Sequence, residues 1–143
     1  MNRTITYQQH RIQVYSEGKG EKILFLHGWP TNAKLWQTQV EALQEEYEVW
    51  TLDWLGFGQS DHPLEHTYTF ASMKEILEWV LSEVLKPGET INLVAHDIGG
   101  PPTLLWASEH PEKVERLILL NTVFYPFQTW LDALSDGILH IPV

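Results

Sequence analysis

The chain has 143 residues, enough for one domain with a buried core, and 43% of them are hydrophobic with seven Trp among them, which excludes a disordered polymer. Its formal charge of −10 argues against a nucleic-acid or anionic-membrane partner, because such surfaces recruit clustered Lys and Arg. There is no cysteine for a disulfide framework or a thiolate metal site, no apolar stretch after Met1 for a signal peptide, and no run near the ~18 residues of a bilayer span, so a cytoplasmic protein is expected.

Residues 4–7 and 11–15 alternate in polarity about Gln8, Gln9 and His10, which predicts an antiparallel hairpin, and Gly18-Lys19-Gly20 supplies the next turn. The nearly continuous apolar run 22–26 predicts a strand buried on both faces of a parallel sheet, and it leads into His27-Gly28-Trp29-Pro30. Thr31 or Asn32 can cap a helix over 33–43, where Leu35, Trp36, Val40 and Leu43 fall at helical spacing. A strand over 47–52 follows, then Asp53-Trp54-Leu55-Gly56-Phe57-Gly58-Gln59-Ser60-Asp61, whose glycines and interleaved aromatics fit either a loop against a pocket or a buried structural loop. The stretch 70–85 carries Ile76, Leu77, Val80, Leu81 and Val84 on one helical face and stops before Pro87-Gly88. A strand over 91–95, a helical segment over 103–109 and a further buried strand over 114–120 complete an alternation that gives an open, mostly parallel α/β sheet, with active groups at the carboxyl ends of its strands. Beyond Tyr125-Pro126 the pattern weakens, with Asp136-Gly137 interrupting a helix that could begin at Phe127.

Between the strand over 91–95 and the helix that follows it stands Ala95-His96-Asp97-Ile98-Gly99-Gly100. Strand, sharp turn and helix in this order present one residue at the tip of a strained turn, with small residues nearby because the backbones approach closely. Asp97 is that residue, with Ala95 and Gly99 two places to either side. On its own it also reads as a helix N-cap. A carboxylate at the tip is ionised at neutral pH and attacks a saturated carbon without a base; hydrolysis of the resulting ester needs one, normally His. Nothing calls for a metal or cofactor: His62 and His66 are separated by a loop containing Pro63, and Gly56-x-Gly58 lacks the third glycine of a phosphate loop.

Taken together, residues 27–30, 53–61, 96–100 and 111–121 resemble the α/β-hydrolase superfamily, specifically its Asp-nucleophile group of haloalkane dehalogenases and epoxide hydrolases. Residues 52–58 and 91–93 are also similar to the mesoderm-specific transcript proteins. The resemblance covers most of residues 20 to 125. It implies an α/β class and the α/β-hydrolase fold, a mostly parallel sheet with helices on both faces, truncated after about the sixth strand. Residues 1–126 would be the amino-terminal part of the core and 127–143 the start of a cap region or a tail. It implies Asp97 as nucleophile, the backbone N–H groups of Trp29 and Ile98 as an oxyanion hole or leaving-group pocket, and His27, Gly28, Pro30 and His96 as supporting loop residues. The substrate implied is a small apolar organic molecule of epoxide or haloalkane type, with no cofactor, no metal, no nucleic acid and no membrane.

Three departures qualify that implication. The dehalogenases, and commonly the epoxide hydrolases, carry Trp directly after the nucleophile, where Ile98 has no side-chain donor; the Trp29 indole could supply one or could be a pocket wall. Some place the catalytic acid at the position of Asn121, which carries no charge. The family order is nucleophile, acid, His, yet His110 falls at the opposite end of its strand from Asp97 and His140 in the cap-like stretch. The chain is therefore expected to be the amino-terminal half of a longer hydrolase. The alternative is a non-catalytic binding or interaction module, completed by another chain if at all. A serine esterase fits least, since Ser60 and Ser108 lie outside the turn. A sheet ending at Leu120 would expose an apolar edge able to self-associate.

Overall fold

The computed structural model describes residues 2–122. Strands β1 (Asn2–Tyr7) and β2 (His10–Gly18) form the antiparallel hairpin, turning where Gln8 has φ of 54°. With β3 (Glu21–Leu26), β4 (Tyr47–Leu52), β5 (Ile91–His96) and β6 (Val114–Leu120) they make one sheet in the order β1-β2-β4-β3-β5-β6. The hairpin joins antiparallel to β4, and β4, β3, β5 and β6 run parallel.

The central strands are apolar on both sides because helices cover both faces of the sheet. Leu24, Leu26, Leu52, Leu93 and Ala95 pack into the larger core with α2 and α3, while Ile23, Phe25, Val49 and Val94 meet Trp36 on the other side, beside α1. Here α1 is Gln37–Leu43, α2 is Phe70–Val84 and α3 is Gly100–Glu109. Helix α2 buries Met73, Ile76, Leu77, Val80, Leu81 and Val84, the stripe its periodicity indicates. Thr69 closes its first turn in a capping box with Ser72, each side chain accepting the other residue's backbone N–H.

Two expectations need correction. The helix over 33–43 is a 3₁₀ turn, Ala33–Trp36, capped by Asn32 and followed by α1. The tighter winding carries Leu35 off the buried face, where it is 43% exposed. Strand β6 is not buried on both sides: Leu117 and Leu119 pack on the larger core, but Ile118 and Leu120 are 46% and 41% exposed. Among the described residues no element covers that face and no strand pairs with the free edge. The expected cap or tail over 127–143, including His140, lies outside the described residues. No helix of the described residues is long and apolar enough to cross a membrane.

An apolar edge that the described residues leave uncovered would offer unpaired backbone groups to a second chain. In sedimentation velocity the weight-average coefficient is expected to rise with protein concentration, and Ile118→Lys is expected to flatten that rise. A coefficient independent of concentration in the unaltered chain would contradict self-association through β6.

Candidate active site

Parallel pairing of Leu26 with Ala95 brings whatever follows β3 and β5 to the same end of the sheet, side by side. At the end of β5 the chain turns sharply: Asp97 has φ of 52°, a left-handed conformation that side-chain-bearing residues rarely adopt, and residues Asp97–Gly99 form a 3₁₀ turn into α3. The turn presses against the loop after β3. A Cβ at position 28 would fall 2.3 Å from the Asp97 Cβ, so only glycine fits there. The approach is fastened by a hydrogen bond, the Trp29 backbone N–H donating to Asp97 Oδ1 at 2.8 Å.

The loop that carries this donor is anchored from beneath. His27 is fully buried, with its Nδ1 3.0 Å from the Gly28 carbonyl and its Nε2 3.2 Å from the Trp54 N–H. These partners define the tautomer: Nδ1 carries the proton and donates, and Nε2 accepts. The Trp54 indole N–H donates to the His27 carbonyl at 2.9 Å, closing the clasp. Burial outweighs the favourable contacts with Gly28 and Asp53 and holds His27 below the ordinary imidazole range. Pro30 is exposed and joined to Trp29 by a cis peptide, and the Trp29 side chain is 68% exposed. His96, half-buried beside Asp97, meets Trp36 edge to face with ring centroids 6.4 Å apart. The Ile98 amide belongs to the first turn of the segment, where helical N–H groups have no intrahelical acceptor.

Sequence reasoning missed two residues that hold this end of the sheet. Asp53, only 2% exposed, accepts from the Ala33 N–H at 2.7 Å, the Gln59 N–H at 2.8 Å and the Tyr15 hydroxyl at 3.1 Å. It ties the start of the 3₁₀ turn, the glycine loop and β2 together. Burial, reinforced by that carboxylate, pushes the Tyr15 hydroxyl up to about 12. The available signal was an acidic residue at the end of an otherwise apolar strand. Thr122 is the other: its hydroxyl donates to the Asp97 carbonyl at 2.6 Å, and no sequence pattern marked it.

The glycine loop serves both roles left open by its sequence. Its Ser60 hydroxyl donates to the Asp53 carbonyl and accepts the Gln13 N–H, while Leu55, Gly56 and Phe57 line a cavity of about 740 Å³. Tyr68, Met73 and Ile98 form more of that largely apolar lining, together with His62 and His66. Among the described residues no cluster of three His, Cys, Asp or Glu side chains is placed to hold a metal ion. His110 stands at the opposite end of the sheet from Asp97, with its Nε2 2.9 Å from Glu78.

A strand-end carboxylate on a left-handed turn, faced by a backbone donor from the neighbouring strand's loop, belongs to a known architecture. The family model for the α/β hydrolase fold matches residues 22–139, and the chain belongs to that family. Its relatives in the family include haloalkane dehalogenases, epoxide hydrolases and decarboxylases. A cis-3-alkyl-4-alkyloxetan-2-one decarboxylase of Shewanella oneidensis is 33% identical over 115 residues, 79% of this chain and 36% of that protein. A haloalkane dehalogenase of Sphingobium indicum is 31% identical over 131 residues, 90% of this chain and 44% of the relative. Among solved structures, an epoxide hydrolase from Vigna radiata superimposes with a TM-score of 0.82 at 25% identity, covering 95% of this chain and 46% of the other. The chain thus spans less than half the length of each.

The buried His27 has a measurable consequence. Its folded pKa lies below the unfolded value of about 6.5, so between the two the unfolded chain binds more protons and stability rises with pH. The contribution is complete above about pH 6.5 and is lost as the pH falls through the folded value. The urea midpoint is expected to fall on acidification from about pH 7 to 5, and His27→Gln to make that fall shallower. An identical pH slope in both proteins would contradict a buried neutral His27.

Proposed function

We propose that Asp97 is a nucleophile that opens a strained oxygen-containing ring and forms a covalent ester. The observation that carries this reading is the division of labour between the two carboxylate oxygens. Trp29 N–H holds Oδ1, leaving Oδ2 as the attacking atom. Oδ2 bonds to a ring carbon, the carbon–oxygen bond of the ring breaks, and its electron pair stays on the departing oxygen. Oδ1 is then the carbonyl oxygen of the ester. When water attacks that ester, negative charge develops on Oδ1, at which the Trp29 N–H is already aimed, with the Ile98 N–H as the second donor.

The residue after the nucleophile supports the choice of leaving group. A halide departs as a free anion and needs donors of its own, and Ile98 offers no side-chain donor beside Asp97. A ring-opened oxygen remains attached to the adduct. Two relatives are named for epoxides and oxetan-2-ones, both strained oxygen-containing rings. An oxetan-2-one opened at its alkyl carbon leaves a carboxylate, which is stable without a proton, whereas an epoxide leaves an alkoxide that takes a proton from water. The apolar cavity beside Ile98 suits alkyl substituents.

Among the described residues no histidine bonds to Asp97, and an ester formed there without a base to activate water is expected to persist. The test is intact-mass and peptide analysis after incubation with a cis-dialkyl oxetan-2-one, a terminal epoxide and a 1-haloalkane. The expected result is a gain on Asp97 equal to the whole ring compound, or to the haloalkane less HX, absent in Asp97→Asn and weakest with the haloalkane. No adduct, or an adduct indifferent to Asp97→Asn, would overturn the nucleophile and leave a non-catalytic binding module as the reading.

A further inference from the structure

We infer that Thr122 is a positioning residue for the Asp97 turn: its hydroxyl clamps the Asp97 carbonyl and thereby aims both the carboxylate and the Ile98 N–H. The consequence for reaction rate rests on the reading of Asp97 as a nucleophile; the consequence for geometry does not.

The carbonyl of Asp97 accepts two hydrogen bonds, one from the Gly100 N–H within the turn and one from the Thr122 hydroxyl at 2.6 Å. Two donors occupy both lone pairs of the oxygen and so fix the plane of the peptide group. That plane is rigid and also contains the Ile98 N–H, which in a trans peptide points away from the carbonyl. Drawing the carbonyl toward Thr122 therefore directs the Ile98 N–H to the other side of the turn. Fixing this peptide also fixes ψ of Asp97, while its φ of 52° is set at the end of β5. The side chain is left with one backbone orientation from which Oδ1 meets Trp29.

Two independent features show that the surroundings are shaped to this contact. Register pairs His96 with Leu120, so the residues just after β6 arrive beside the turn, and Asn121 bends back with φ of 41° immediately before Thr122. At position 100 a Cβ would stand 1.9 Å from Thr122 Oγ1 and 2.6 Å from its Cβ, so glycine there makes room for the threonine. Among the described residues the hydroxyl donates to the main chain of Asp97, which makes Thr122 a positioning group and not a reacting one.

Thr122→Val keeps the shape and removes the donor; Thr122→Ser keeps the donor. Two readouts are needed on the 143-residue chain: the rate of ester formation on Asp97 with the oxetan-2-one, and the amide chemical shifts of Trp29 and Ile98 by NMR. Misplacing a reacting group by a fraction of an ångström slows reaction by about tenfold or more. Thr122→Val is expected to lose at least that factor and to move both amide signals, and Thr122→Ser to restore both. Should Thr122→Val not fold, Thr122→Ala supplies the same comparison. Unchanged rate in the valine variant, or a slower rate with both amides unmoved, would overturn the assignment. If the unaltered chain forms no ester, the nucleophile reading fails, and the amides decide alone: displacement by valine and restoration by serine support the clamp, and unmoved signals overturn it.

Discussion

The hydrogen bond from the Trp29 N–H to Asp97 Oδ1 joins two loops that the sheet sets side by side, and the rest of this end of the molecule is arranged to keep it. It exists because β3 and β5 are neighbours and parallel, although β4 and α2 separate them in sequence. One partner rests on the clasp between His27 and Trp54, the other on a left-handed turn against a glycine that cannot be replaced without moving Asp97. The start of the 3₁₀ turn and the loop over 53–61 are in turn tied through buried Asp53. The bonds of His27, Trp54 and Asp53 satisfy polar groups that burial would otherwise leave costly.

Much of this was legible in residue order. Alternation gave the hairpin, the apolar run over 22–26 gave the central strand, and the stripe through Ile76, Leu77, Val80, Leu81 and Val84 gave α2. The strand–turn–helix around Asp97 was legible because an apolar run stopped abruptly at a polar pair followed by two glycines. What escaped depends on three-dimensional neighbours. Leu35 keeps helical spacing in sequence but sits in a tighter turn, and β6 reads as buried from composition although no element of the described residues covers Ile118 and Leu120. Asp53 and Thr122 act by hydrogen bonds to backbone groups distant in sequence, and single polar residues at strand ends carry no periodic signal.

The chemistry open to the site follows from which donors are present and where they point. Main-chain N–H groups at the ends of two strands can meet charge on an ester oxygen whatever side chains surround them, so the turn can keep its central function while the residue after Asp97 varies. Ile98 in that place removes a means of stabilising a free anion and adds apolar surface to the cavity wall. On the proposed reading, Ile98 disfavours a free-anion leaving group and suits substrates with alkyl arms.

The most direct test is a crystal structure of the chain after exposure to a cis-dialkyl oxetan-2-one. Continuous density from one carboxylate oxygen of Asp97 to the substrate's alkyl carbon, with the other oxygen still against the Trp29 N–H, is the expected result. Density showing an unmodified Asp97 with the compound bound elsewhere, or an ester whose carbonyl oxygen has left Trp29, would contradict the division of labour between the two oxygens.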